Sequence, residues 1–104
     1  MLYPTLVKKI MQTLKTRLIS KVFKVLGIYE NNPENCVKYL SKIVLEFSGY
    51  AHNKNLNHKQ REIMNDCSSV LMGLKLAILE QEADHQLVKR TVLEYTNKID
   101  RNFV

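Results

Sequence analysis

Apolar residues recur along most of this chain at steps of three and four, the spacing that puts side chains on one face of a helix. In the first segment Val7, Met11, Leu14, Leu18, Val22 and Val25 form such a stripe. Pro4 suits a first helical turn and Gly27 suits the position just past a last one, so a helix is predicted over 4–26. Its apolar shoulder changes side along the length, from Leu6 and Ile10 early to Ile19, Phe23 and Leu26 later. That change predicts different neighbours at the helix's two ends.

Asn32 is a good N-cap, Pro33 a good first helical residue and Glu34 a favourable first-turn acid, so a second helix opens there. Cys36, Val37, Leu40, Ile43, Val44 and Phe47 carry it to Ser48-Gly49, a span of about 33–48. The third helix, 58–81, begins behind Asn57 with Gln60 three residues on, as in a capping box. Ile63, Cys67, Val70, Leu74 and Ile78 are predicted to line its inner face, and Leu71, Met72, Leu76 and Leu79 spread apolar character around the rest. Gly73 reads as a point of close helix approach. Val88, Val92, Tyr95 and Ile99 resume the period over 85–100.

The join at 80–86, "EQEADHQ", has two readings. A turn near 82–85 with Asp84 as N-cap makes a four-helix bundle; an unbroken helix of about 40 residues makes three helices and requires a dimer. Either way the expectation is one all-α domain over 1–104, a small helical bundle that forms a homodimer. Three glycines and two prolines are too few to punctuate a many-stranded sheet. No apolar run approaches the roughly 18 residues of a membrane span, and no stretch reads as a secretory signal. Cys36 and Cys67 both fall at apolar helical positions, which predicts buried free thiols and a cytoplasmic location.

Charge changes the picture once it is located. The net charge is +6, yet residues 1–29 hold Lys8, Lys9, Lys15, Arg17, Lys21 and Lys24 with no acid. The remainder balances ten basic against ten acidic residues. On the first helix Lys8, Lys9 and Lys15 fall on one flank, and Arg17, Lys21 and Lys24 on the other. Lys54, Lys59 and Arg61 add donors in the polar stretch "AHNKNLNHKQRE" (51–62). These nine side chains are the candidate anion or nucleic-acid contacts, because phosphates need accessible cations. The same acid-free amphipathic helix also fits peripheral contact with anionic lipid.

Catalytic chemistry has little to stand on. His52 and His58 sit six apart, without the i, i+4 spacing of a helical chelate, and the cysteines form no close pair. There is no glycine-rich phosphate loop, and Glu80, Glu82 and Asp84 lie in a polar run. No catalytic residue, metal ligand or cofactor is predicted. The favoured function is a non-enzymatic binding or regulatory module working through protein–protein contacts, with Met72, Leu76 and Leu79 as the candidate interface. A nucleic-acid-binding regulator is the alternative.

The stretch "KYLSKIVLEFSGYAHNKNLNHKQREIM" (38–64) resembles the helix–loop–helix of small bacteriocin immunity proteins, through its aliphatic spacing and polar loop. The resemblance implies a basic helical bundle that protects a producing cell at its membrane. It covers about a quarter of the chain, and the segment 86–100 departs from the pattern.

Overall fold

The computed structural model describes residues 4–103 and consists of four α-helices: α1 (Pro4–Asn31), α2 (Pro33–Tyr50), α3 (His58–Leu79) and α4 (His85–Asn102). Each helix packs against its two ring neighbours, and the backbones of the diagonal pairs do not approach closely among the described residues. Cross-helix contacts set the directions. Lys15 meets Asp100 at one end of the α1–α4 pair and Glu30 meets His85 at the other, so these helices are antiparallel. Arg17 against Tyr50 and Cys36 against Val25 show the same for α1 and α2. The α2–α3 and α1–α4 seams are the closest packed, and the α3–α4 seam the most open.

Local chemistry explains three of the boundaries. Asn32, held extended before Pro33, accepts from the backbone N–H groups of Glu34 and Asn35. Asn57 and Gln60 form the reciprocal capping box, with distances of 2.8 and 3.0 Å. Asp84 accepts from the Leu87 N–H at 2.8 Å and opens α4. The four-helix reading is therefore the observed one.

What stops α3 is less obvious. Leu79 is its last residue, and Gln81 is the one non-glycine with positive φ, 59°, among the described residues. The Glu82 N–H reaches back to the Ala77 carbonyl and the Gln81 N–H to that of Ile78. This is the Schellman arrangement, with glutamine where glycine usually sits. No glycine or proline announces it, which is why the sequence left a continuous helix open.

Four expectations need correction. The first helix does not stop at Gly27 but runs to Asn31; Gly27 is exposed and helical, and Ile28 and Tyr29 beyond it pack on the core. Nothing in one glycine stops a helix whose next residues gain burial. The second helix likewise passes through Gly49 to Tyr50. On α3, Leu71 is fully buried where Val70 was expected, and Val70 is 37% exposed. The inner face is centred between the α2 and α4 contacts, and Val70 falls outside it. Gly73 makes no close approach within the chain, since a Cβ there would meet nothing within 4 Å.

The core fills the space between the four helices, with Phe47, Phe103, Leu18, Leu40, Met64 and Leu71 its largest fully buried side chains. Leu56 from the 51–57 loop and Phe103 from beyond α4 close one end. α2 and α4 flank α1 on either side along its length, so the expected change of neighbours does not occur. What changes is that neither reaches its start. With Arg17 beside Tyr50 and Lys15 beside Asp100, roughly the first two turns of α1 project past the ends of α2 and α4. In that projection Leu6, Val7 and Ile10 are 44, 39 and 49% exposed.

Candidate functional site

The predicted cations do not form one surface. The Lys15 ammonium lies 3.0 Å from Asp100 on α4, and Lys21 pairs with Glu46 on α2. Arg17 donates to the Tyr50 hydroxyl at 2.9 Å, which leaves its charge uncompensated. Lys59 stands 3.9 Å from Glu62, an exposed pair of little energetic weight. Lys8, Lys9, Lys24, Lys54 and Arg61 meet no carboxylate among the described residues. Lys15 faces α4, whereas Arg17 and Lys21 face α2; Lys9, expected beside Lys15, instead lines a hollow with Arg17 and Tyr50.

Folding also redistributes the charge. The starts of α1 and α3, the 51–57 loop and the finish of α4 share one end of the bundle. Lys8, Lys9, Lys15 and Arg17 come from α1, Lys54, Lys59 and Arg61 from the loop and α3, and Lys98 and Arg101 from α4. Only Glu62, Asp66, Glu94 and Asp100 oppose them there. At the other end Lys24, Lys38, Lys75, Lys89 and Arg90 balance Glu30, Glu34, Glu80, Glu82 and Asp84. The first end therefore carries a surplus of five positive charges and the second none. Sequence order assigned the whole excess to the first segment; the structure shares five of the six charges among three segments at one end, and Lys21, Lys42 and Glu46 midway along the bundle leave the sixth. Lys98 and Arg101, missed as candidates, belong to this end because α4 runs back towards it.

The predicted interface residues stand on the outside of α3. Met72, Leu76 and Leu79 are 38, 48 and 56% exposed. At 100° per residue they lie on the flank that turns towards α2, the same flank from which the Ser68 hydroxyl donates to the Val44 carbonyl at 3.2 Å. On α2, Leu45 is the most exposed large apolar residue, at 77%, and points outward, about 100° round the helix from the Val44 that meets α3. A hollow lined by Val37, Ile78 and Leu79 extends this face towards the start of α2.

The histidines of 51–62 come together only loosely. His52 and His58 line one shallow hollow with Arg61 and Glu62, and the His58 ring lies 3.6 Å from the Glu62 carboxylate. Among the described residues no group of three or more His, Cys, Asp or Glu side chains is placed to hold a metal ion. Both cysteines are buried and unpaired. Burial pushes the Cys36 thiol up to about 11 and the Cys67 thiol up to about 12, so at neutral pH neither is the thiolate a nucleophile needs. The Tyr39 hydroxyl, raised to about 12 by burial and the nearby Glu46 carboxylate, donates to the Lys21 carbonyl at 2.7 Å. These groups hold helices together.

No helix among the described residues is long and apolar enough to cross a membrane. The chain matches no family model, no curated protein and no solved structure. The likeness of 38–64 to immunity proteins is thus a likeness of one helix–loop–helix. That segment forms the end of α2, the 51–57 loop and the capped start of α3.

Proposed function

We propose that this chain is a small non-enzymatic helical module that acts through protein–protein contacts, in the first instance with a second copy of itself. The observation that carries this reading is the exposed stripe Met72, Leu76 and Leu79 on α3, with Leu45 exposed on the outer side of the adjoining α2. Scattered surface leucines are ordinary; a row of them at helical spacing beside a further exposed leucine is what an interface requires. Ser69 and Gly73 are exposed next to Leu76, and the space over Gly73 is open. A second helix has room to approach closely there. Two copies of α3 crossing about a two-fold axis near Leu76 place like apolar residues against one another, the self-complementary contact of a symmetric dimer. Such a device suits a regulatory role, in which assembly and release are the signal.

The test is molar mass by light scattering over a rising concentration series. The expected result is a shift towards twice the 12.2 kDa chain mass, abolished by Leu76→Glu combined with Leu79→Glu while helical content is unchanged. A chain that stays monomeric at the highest concentration ends this reading.

A further inference from the structure

The projecting start of α1 combines two features. It carries three exposed aliphatic side chains, Leu6, Val7 and Ile10, on a helix that has left its neighbours behind. It also stands at the end of the bundle that holds the positive surplus, with Lys8 and Lys9 on the same two turns and no acid anywhere in residues 1–29. We infer that this end docks on an anionic lipid surface, with Leu6, Val7 and Ile10 entering the interface and Lys8, Lys9, Lys54 and Arg61 meeting the headgroups.

Charge complementarity selects the occupant. An acid-free helix end beside unneutralised cations attracts a dense anionic surface, and its aliphatic side chains gain only from a surface with an apolar layer beneath the charge. A nucleic acid supplies the first and not the second. It would also favour aromatic platforms, whereas Tyr95 is buried and the Tyr50 ring packs against the core. The bundle is a rod of 49 × 21 × 19 Å, so end-on docking leaves the long outer face of α2 and α3 open. The inference is independent of the α3 contact and goes beyond it.

Co-sedimentation of the full chain with vesicles tests it. Vesicles of equal parts phosphatidylglycerol and phosphatidylcholine are expected to retain the protein, and pure phosphatidylcholine to leave it in solution. Lys8→Glu with Lys9→Glu should weaken retention at least tenfold, as should Leu6→Ser with Ile10→Ser, each with an unchanged thermal melt. Lys38→Glu with Lys42→Glu, on the outer side of α2, should retain at least half the wild-type binding. Equal binding to both vesicle types, no binding to either, or indifference to Leu6→Ser with Ile10→Ser overturns the inference. So does tighter binding to a single-stranded RNA, or to an acidic amphipathic peptide, through the same lysines.

Discussion

The two ends of the bundle solve the same problem differently. At the neutral end, α1 and α2 are joined through Asn32 alone, and α3 turns into α4 over five residues around Gln81. The backbone does the closing there. At the basic end the 51–57 loop is longer, and closure falls to side chains: Leu56 and Phe103 are buried, and Gln60 donates to the Asn102 carbonyl at 3.0 Å. An end closed by tight turns depends on caps and dihedral angles. An end closed by a plug depends on packing, and leaves its polar surface free for charge.

The largest expected effect of this difference is at Phe103. Its replacement by alanine opens a cavity among fully buried neighbours and should cost about 3–5 kcal/mol. Leu79→Ala at the neutral end, removing a side chain that is 56% exposed, should cost no more than about 0.5 kcal/mol at concentrations where the chain is monomeric. Urea unfolding of the two variants measures both. A loss under about 1 kcal/mol for Phe103→Ala would show that the plug is dispensable.

Next in size is the response to alkali. Cys67 is fully buried in the core, and burial is the main cause of its raised pKa; Lys98 pulls the other way and Asp66 adds slightly. The unfolded thiol ionises from about 9 and the folded one only near 12. Below pH 9 both states keep the proton and the full stability is present. Above it the unfolded state alone is stabilised by ionisation, so stability falls as pH rises from 9 towards 12, by about 3 kcal/mol from this group at pH 11. Cys67→Ala should flatten that part of the pH–stability curve, whatever it costs at pH 7. An unchanged slope between pH 9 and 11 would place the alkaline sensitivity elsewhere.

The smallest effect belongs to the turn. Gln81 holds a left-handed conformation that glycine adopts without steric cost, so Gln81→Gly should raise stability by about 0.5–1 kcal/mol. The thermal midpoint should rise by a few degrees. A fall instead would mean that the Gln81 side chain makes a contribution larger than the backbone relief.

These contrasts also mark what was legible. Asn32-Pro33, Asn57 with Gln60, and Asp84 announced three helix starts, because a cap acts within three residues of itself and its chemistry is written beside it. The end of α3 was not legible, because a Schellman turn closed by glutamine lacks the residue that usually signals it. Met72, Leu76 and Leu79 could be placed off the main stripe of α3 by angle alone. Val70 and Leu71 could not be told apart, since which was buried depended on where α2 and α4 settled. Lys98 and Arg101 escaped notice because they lie about 40 residues along the chain from Lys59 and more than 80 from the α1 cations they join.

By itself, then, the sequence determined an all-helical chain, the caps that open its helices and most of the apolar faces they bury. Those follow from interactions within a turn or two of chain. Only the tertiary structure decided that α1 outruns its neighbours, that Phe103 closes one end, and that the positive charge gathers there. Burial and electrostatic potential are sums over everything nearby in space, and antiparallel packing brings together residues that the chain keeps far apart.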